Sequence, residues 1–173
     1  MDLRTTLQCV QGNNPRSISF MIKTNAMGCS HILSTGSNVK HQMFAIGFSC
    51  NVYTRNIIQT YGAELLPNVG KVINDGLWHT VLVSYDETLL SIFVDGVLDN
   101  SASTFNGVSI AATLETTGNS ANYLGQGLDL PLNRWVGHLK NVIFYDYVVP
   151  NAFALANSYQ TAGEVLYNSG YNI

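Results

Sequence analysis

The segment from Gly76 to Ser101 constrains the fold most, because it contains two adjacent strands and the turns that orient them. It reads GLWHTVLVSYDETLLSIFVDGVLDNS. From Trp78 to Tyr85 the apolar residues alternate with a mixed second face, which is the period of a half-buried strand. Leu89–Val94 predicts a second strand, which ends at Asp95-Gly96, a pair that favours tight hairpins because both residues tolerate a positive φ. The segment therefore predicts antiparallel β structure. The apolar face of its first strand comprises Val81, Val83 and Tyr85.

Two earlier segments show the same alternation. Arg16–Lys23 and Met43–Ser49 each place large apolar residues at every second position. In the second segment the opposite face carries Ala45 and Gly47, which are small enough to leave room for a ligand or a neighbouring loop. The residues predicted to point into the core are Ile18, Phe20, Ile22, Phe44, Ile46 and Phe48.

The rest of the chain predicts further strands and one helix. Asn151–Ala162 is Ala-rich, and Gly163 follows it where a helix cap would lie, so we expect a short helix near the C-terminus. The regular spacing of strands and breakers favours two stacked antiparallel sheets and excludes a helical bundle. The additional predicted strands are Val52–Tyr61, Lys71–Ile73, Ser101–Asn106, Val108–Glu115, Tyr123–Leu124 and Leu139–Tyr147, with Val165–Ile173 as an edge strand or a partly ordered tail.

The size and charge of the chain limit the functions that it can have. At 173 residues the chain is expected to form a single domain, residues 1–173. Only 11% of its residues are charged, against about 25% in an average soluble domain. The eight Lys and Arg are scattered and the net charge is −3, which argues against nucleic-acid binding because phosphate contacts need clustered cations. Such a surface suits neutral ligands such as sugars, or a crowded exterior assembly.

The chain shows no sign of membrane insertion. Its apolar runs are all shorter than the roughly 20 residues that span a bilayer, and the first residues do not resemble a signal peptide. A start at Met1 is compatible with a cytosolic protein or with an excised domain.

Three segments resemble a known family. WHTVLVSYDETLLSIFVDGVL is similar to the central signature of laminin G-type domains in the concanavalin A-like superfamily. Pro15–Thr24 (PRSISFMIKT) resembles the early strand of that family, and Tyr123–Pro150 resembles its closing strands. The resemblance implies an all-β, concanavalin A-like antiparallel β-sandwich, or jelly roll. It also implies an extracellular or surface-exposed location, on a cell or a virion, as part of a larger chain.

The sequence contains no motif that is typical of a hydrolase. Glycosidases of this fold class carry paired acidic residues on one strand face, because retaining cleavage needs two carboxyl groups about 5 Å apart. The four Glu are isolated in sequence, and no serine-hydrolase or zinc-protease motif occurs. We therefore expect a protein that is not an enzyme, although a triad assembled from distant residues remains an alternative.

The histidines and cysteines give no metal pattern. All four His are predicted to be non-catalytic, and His79 is expected to be partly buried and hydrogen-bonded. If His31–Ser34 and Met43–Ser49 form a hairpin, Cys29 and Cys50 lie near each other at its open end, where free buried thiols are favoured over a disulfide.

Calcium is the one cofactor that we consider an open possibility. The resemblance implies it, because relatives in the superfamily bind calcium through oxygen atoms of the loops at the rim of the sandwich. No cofactor is expected otherwise. Turn chemistry accounts for Asp86 and Asp95, so Asp129 is the candidate metal ligand, with Asp99, Asn100 and Asn133 as further oxygen donors.

The densest set of sugar-binding residue types lies between Asn122 and Trp135. Sugar sites combine an exposed aromatic ring with side chains that hydrogen-bond hydroxyl groups. That Trp135 and Tyr123 pack inward as core aromatics remains an alternative, and Trp78 is expected in the core. A second rim is predicted at Asn38, Lys40 and His41. The candidate ligand-binding residues are Asn122, Tyr123, Gln126, Asp129, Asn133, Arg134, Trp135 and His41.

These observations predict that the protein is a recognition module that binds a glycan or glycoprotein. More specifically, we interpret it as the attachment domain of a larger adhesin or viral spike. The alternative is a protein–protein or structural module of the same fold. A glycosidase is the third interpretation, and it would depend on Asp129 or Glu115.

Overall fold

The computed structural model describes the strands and some of the connections of one β-sandwich. The described residues are 11–28, 30–39, 41–48, 57–60, 63–65, 72–105, 108–110, 116, 122–128, 134–149 and 171–172. Within them the strands are β1 Arg16–Lys23, β2 Ser30–Gly36, β3 Met43–Phe48, β4 Ile57–Thr60, β5 Ala63–Leu65, β6 Trp78–Tyr85, β7 Leu90–Val94, β8 Val97–Ala102, β9 Thr104–Phe105, β10 Val108–Ser109, β11 Asn122–Leu124, β12 His138–Tyr145 and β13 Tyr171–Asn172.

The strands form two main antiparallel sheets. The larger sheet has six strands in the order β13-β12-β1-β6-β7-β8, and the smaller has five in the order β11-β2-β3-β4-β5. A two-stranded ribbon joins β9 to β10. Every neighbouring pair is antiparallel. The predicted all-β sandwich is confirmed, whereas the predicted helix lies outside the described residues. Among those residues, no helix combines the length and the apolar character that crossing a bilayer requires.

The core lies between the two sheets, because alternation directs one apolar face of each sheet inward. Ile18, Phe20 and Ile22 of β1 are at most 2% exposed, and they share a cluster with Phe44 and Ile46 from the opposite sheet. The predicted inward faces of β1, β3 and β6 are therefore confirmed. Full burial of each such side chain contributes about 1.5 to 3 kcal/mol to folding.

Turn chemistry fixes the two hairpins of the central segment. Asp95 and Gly96 both have positive φ, 49° and 79°, as a tight hairpin between β7 and β8 requires. Before β7, the Asp86 carboxylate accepts hydrogen bonds from Thr88 and from the Leu89 N–H. The hydrogen bond from the Thr88 hydroxyl is the main cause that lowers the pKa of Asp86 below its ordinary value. Both turns agree with the sequence prediction.

The small residues of β3 do not leave an open space. A β-bulge shifts the register between His31 and Leu33 on β2, and it brings backbone against Gly47. A Cβ atom at Gly47 would lie 2.1 Å from the carbonyl oxygen of Ser30. Ala45 is fully buried. Of the two alternatives predicted for this face, a ligand or a neighbouring part of the chain, the structure shows the second at Gly47, where the backbone of β2 approaches closely.

Arg16 is buried in the sandwich although it carries a charge. Its side chain is 1% exposed, and it donates to the carbonyl oxygens of Asn14, Gln11 and Gly12 and to the Thr116 hydroxyl. The guanidinium also lies 5.8 Å from the ring centres of Phe44 and Tyr85. Burial raises the pKa of the Tyr85 phenol, against the opposing effect of the Arg16 charge. Arg16 thus holds the segment before β1 against the core.

Two of the predicted strands need adjustment. Val72 and Ile73 are not part of a strand, so the strand predicted at Lys71–Ile73 is wrong there. The strand predicted at Leu139–Tyr147 is β12, which begins at His138, and only its last three residues are fully buried. At the C-terminus, Tyr171–Asn172 pairs with β12 as an edge strand, in agreement with the prediction. Cys29 and Cys50 lie outside the described residues, while the hairpin that leads to them is present as β2 and β3.

Candidate ligand-binding surfaces

The loop residues predicted to bind sugar are anchored along β2. Asn122 and Tyr123 of β11 pair with Thr35 and Ser34. Beyond β11, the Gly125 N–H donates to the Ile32 carbonyl. The chain returns at Trp135, whose N–H donates to the Gly125 carbonyl over 2.9 Å. Arg134 forms a parallel bridge with His31. Both ends of the loop are therefore fixed against one strand of the smaller sheet.

The structure separates the predicted set into two groups. Asn122 pairs with Thr35, whereas Arg134 pairs with His31, four residues away on the same strand. At about 3.3 Å per residue, these positions lie about 13 Å apart along β2. His41 belongs to the turn after β2, with a φ of 69°, at the end where Asn122 lies. Asp129 and Asn133 lie outside the described residues.

Two of the predicted contact residues make contacts within the protein itself. Asn122 is 5% exposed, and its amide oxygen accepts a hydrogen bond from the Thr35 hydroxyl. Trp135 packs against Phe48 with ring centres 5.4 Å apart, and its Nε1 is buried without a hydrogen-bond partner in the structure. Arg134 is exposed, and Tyr123 and Gln126 are half-buried. The loop side thus offers a cation and two partly accessible polar side chains.

A second surface lies on the outer face of the larger sheet, and the sequence analysis did not identify it. Lys23 pairs with Trp78 on one side and with His138 on the other. Directly paired residues share a face of the sheet, so the three side chains form one row. Lys140 follows two residues after His138, on the same face. We call Trp78, Lys23, His138 and Lys140 the Trp78 surface.

Trp78 is exposed, contrary to the prediction that it lies in the core. Its side chain keeps 39% of its surface accessible. It shares the even-numbered face of β6 with Thr80 and Ser84, and this face points away from Val81 and Val83. The parity of Trp78 relative to the core residues signals the outer face, but Thr80 and Leu82 of that same face are buried, so the exposure of Trp78 depends on its place at the end of the strand. Exposed Leu77 and Val136 flank the surface.

The Trp78 ring contacts two other side chains of the Trp78 surface. The Lys140 ammonium lies 4.4 Å from the centre of the indole ring of Trp78, within the range of a cation–π interaction. The rings of Trp78 and His138 are 6.2 Å apart and tilted by 51°. Among the described residues, neither Lys23 nor Lys140 has a carboxylate within ion-pair distance. The positive charge of both lysines is therefore available to a ligand.

The strand ends that carry the Trp78 surface are tied together by backbone contacts. The Thr24 hydroxyl donates to the Val136 carbonyl, and the Thr24 carbonyl accepts from the Gly76 N–H over 2.9 Å. Gly137 approaches β1 so closely that a Cβ atom there would lie 2.6 Å from the Lys23 carbonyl oxygen. These contacts hold the ends of β1, β6 and β12 in fixed relative positions before any ligand binds.

His79 is held between two carboxylates rather than in a reactive site. Its Nδ1 lies 2.8 Å from Asp95 and its Nε2 lies 3.0 Å from Asp75. The second oxygen of Asp95 accepts the Thr80 N–H over 2.9 Å. Both ring nitrogens are occupied, so neither can accept a proton from a substrate hydroxyl. The predicted structural role of His79 is confirmed, and Asp95 has a role beyond its own turn.

The contact with His79 makes the contribution of Asp75 to stability dependent on pH. The hydrogen bond from His79, followed by that from the Leu77 N–H, lowers the pKa of Asp75 below its ordinary value of 3.8. Because the folded pKa lies below the unfolded one, the contribution is present above the unfolded pKa and is lost as the pH falls through the folded pKa. We expect the difference in melting temperature between the protein and Asp75→Asn to shrink from about pH 6 to about pH 2.5. Circular dichroism melts measure it, and a constant difference would contradict the assignment.

The described residues contain no cluster of three or more His, Cys, Asp or Glu that could hold a metal ion. Asp129, the predicted calcium ligand, lies outside them. Asn100 uses its amide oxygen locally, where it accepts the Ser101 N–H over 2.8 Å.

Comparison with known proteins identifies the family. A family model described as the concanavalin A-like lectin/glucanases superfamily, of the laminin G type, matches residues 4–152. The chain belongs to this superfamily. The resemblance inferred from the three sequence segments is therefore confirmed. No curated protein sequence matches the chain.

Solved structures with the same fold include domains of larger proteins. The CBM40 of the Ruminococcus gnavus IT-sialidase, solved with α2,3-sialyllactose, has a TM-score of 0.68 and 14% identity, over 90% of each chain. Domain 4 of AbnA, an extracellular arabinanase from Geobacillus stearothermophilus solved with arabinotriose, has a TM-score of 0.64 and 17% identity, over 90% of this chain and 71% of the other. Domains LG4-5 of the mouse laminin α1 chain give 0.53 and 15%, over 76% and 35%. At these identities the likeness shows the fold.

Proposed function

We propose that this protein is a non-enzymatic recognition module that binds a glycan through the Trp78 surface. The exposed indole of Trp78, set in a row with two lysines that have no carboxylate partner among the described residues, is the observation that carries the proposal. A sugar ring presents an apolar C–H face that packs on an aromatic ring, while neighbouring donors hydrogen-bond its oxygens. The Trp78 surface offers both.

Solved proteins of the same fold support this proposal. The CBM40 of the R. gnavus sialidase was solved with sialyllactose, and domain 4 of AbnA was solved with arabinotriose. Both are parts of larger proteins, and the arabinanase is extracellular by description. By analogy, we place this module in a larger extracellular or surface protein, such as an adhesin or a viral spike, where it would serve in attachment.

The arrangement of acidic groups supports binding rather than hydrolysis. A retaining glycosidase needs two carboxyl groups about 5 Å apart around an open site. Among the described residues, Asp75 and Asp95 are two carboxylates that lie close together, and both contact the buried His79. Hydrogen bonding to one imidazole leaves no room for a glycosidic bond between them.

The loop side supplies a second contact region in this proposal. Arg134, Tyr123 and Gln126 are accessible or half-buried, and His41 is half-buried at the tip of the β2–β3 hairpin. We keep Asp129 and Asn133 in this region as proposed contacts on the basis of sequence alone. Because this region belongs to the smaller sheet, a substitution there tests a site separate from the Trp78 surface.

Replacing Trp78 by alanine tests the proposal. We expect a glycan array to detect binding, and Trp78→Ala to weaken the best ligand by about tenfold or more, which corresponds to about 1.4 kcal/mol. Isothermal titration calorimetry measures the loss. Leu89→Ala, at an exposed apolar residue in the turn between β6 and β7, is the matched control and should bind normally. Equal affinity for Trp78→Ala and the control, with both proteins folded, would remove Trp78 from the site, and an array without signal would contradict glycan binding.

The exposed edge strand β8 favours the second candidate, a protein–protein module. β8 ends the larger sheet, and its residues Val97 and Leu98 are 63% and 52% exposed. An edge strand with exposed apolar residues can pair with a strand of another chain. Val97→Lys would block such pairing and leave the Trp78 surface intact, so the two functions can be distinguished by which variant loses its partner.

A further inference from the structure

We propose that the Trp78 surface selects saccharides that carry a negative charge, so that the apolar face of a sugar ring lies on Trp78 while its carboxylate or sulfate binds Lys140 and Lys23. This inference rests on the proposed function and adds the ligand class. Sequence composition alone favoured neutral sugars, because the chain is weakly charged and carries a net charge of −3.

The described cations are concentrated at this surface. Among the described side chains there are four Lys and Arg residues. Arg16 is buried in the core, and Arg134 lies beside the smaller sheet. The other two, Lys23 and Lys140, share the outer face of the larger sheet with His138. The Trp78 surface is thus a local positive region on a protein of net negative charge.

The hydrogen-bonding groups of the surface fit an acceptor-rich ligand. A lysine ammonium has three donors and no acceptor, and an indole has one donor and no acceptor. The neutral imidazole of His138 adds one donor and one acceptor, so donors greatly outnumber acceptors on this surface. A neutral sugar needs acceptors as well as donors, because each hydroxyl group also donates. A carboxylate or sulfate only accepts when ionised, so it complements the two ammonium groups. Charge-assisted hydrogen bonds of this type are stronger than neutral ones.

The spacing of the residues in the Trp78 surface suits one acidic sugar together with the sugar next to it in the saccharide. His138, Lys23 and Trp78 occupy adjacent strands, so their backbones span about 10 Å across the sheet. Lys140 reaches over the intervening strand to the indole, with its ammonium 4.4 Å from the ring centre. A ligand whose anionic group meets this ammonium is thereby brought next to the Trp78 ring. The apolar side chains of Leu77 and Val136 border the same place.

Lactose and 3′-sialyllactose provide the matched ligand pair, because they differ by one acidic sugar. We expect calorimetry to show at least about tenfold tighter binding of 3′-sialyllactose, or of a heparin-derived hexasaccharide, than of lactose. The first ligand carries carboxylate only, and the second also carries sulfate, so their order identifies the preferred anion. The preference should fall as NaCl is raised from about 0.05 M to about 0.5 M, because exposed charges are screened.

Single substitutions test which residues select for acidic saccharides. Lys23→Gln and Lys140→Gln should each weaken the acidic ligand by about threefold to fivefold, as expected for exposed ion pairs, and should weaken lactose by a smaller factor, because glutamine still donates hydrogen bonds but carries no charge. Glu87→Gln changes the net charge by one unit in the opposite direction, in the turn beyond the far end of β6, a strand about 23 Å long, and is the control for long-range electrostatics. Its affinity for the acidic ligand should match that of the unmodified protein.

The possible results separate this inference from the proposed function. Equal binding of lactose and the acidic saccharides, still lost in Trp78→Ala, would overturn the charge selection and leave glycan binding intact. Binding of none of the saccharides would overturn both. Binding of a poly-glutamate peptide as tightly as the acidic saccharides would show an anion surface without sugar recognition, and would also overturn the inference.

Discussion

Replacement of Arg16 by methionine is expected to lower the free energy of unfolding by about 3 to 5 kcal/mol, because a buried, fully used cation is removed from its partners. The guanidinium donates to three backbone carbonyl groups and to the Thr116 hydroxyl. Methionine fills similar space but donates nothing, so the buried Thr116 hydroxyl and three part-buried carbonyl groups lose their partners. Urea unfolding measures the effect.

Two controls define what Arg16 contributes. Arg16→Lys keeps the charge but cannot donate in several directions from a planar group, so we expect it to recover only part of the loss. Arg134→Met removes an exposed arginine and should change the free energy of unfolding by less than about 0.5 kcal/mol. A loss below about 1 kcal/mol for Arg16→Met would show that these hydrogen bonds do not stabilise the fold.

Replacement of Gly47 by alanine is expected to cost about 3 kcal/mol, because an added methyl group meets rigid backbone in the centre of the smaller sheet. The new Cβ atom would lie 2.1 Å from the Ser30 carbonyl oxygen and 2.9 Å from the His31 Cα. Neither atom belongs to a flexible side chain, so β2 must move away from β3. We expect a lower melting temperature, and a change in the near-ultraviolet dichroism of the neighbouring aromatic residues.

Gly28→Ala separates steric overlap from backbone conformation. Gly28 has a φ of 91°, and a Cβ atom there meets nothing within 4 Å. Its replacement should therefore cost only the price of an unfavourable backbone angle, about 1 to 2 kcal/mol. If Gly47→Ala were no more destabilising than Gly28→Ala, the close approach at the bulge would not limit this position.

The strands and turns were predictable because their signals are local. Alternation over eight residues identified β1 and β6 together with their inward faces, and the Asp95-Gly96 pair identified the hairpin before β8. Lys71–Ile73 failed as a strand because three apolar or long side chains carry no reliable period. The bulge in β2 was also missed, since an extra residue in a strand leaves no mark in an alternating pattern.

The binding residues were less predictable, because exposure depends on what the other sheet and the loops cover. Sequence proximity grouped Asn122 with Trp135, but the structure buries the amide of Asn122 and packs Trp135 on Phe48. Trp78 was placed in the core on account of its type. Its exposure follows from its parity on β6 and from the lack of a covering element at that strand end among the described residues.

The sequence by itself determined the all-β sandwich, the inward faces and the superfamily, since each depends on periodicity and turn chemistry within short segments. Only the tertiary structure decided which tryptophan is accessible and that Lys23, His138 and Lys140 lie beside it. These residues come from strands that are far apart in the chain and adjacent in the sheet. Their proximity is a property of strand order and register, which no local pattern encodes.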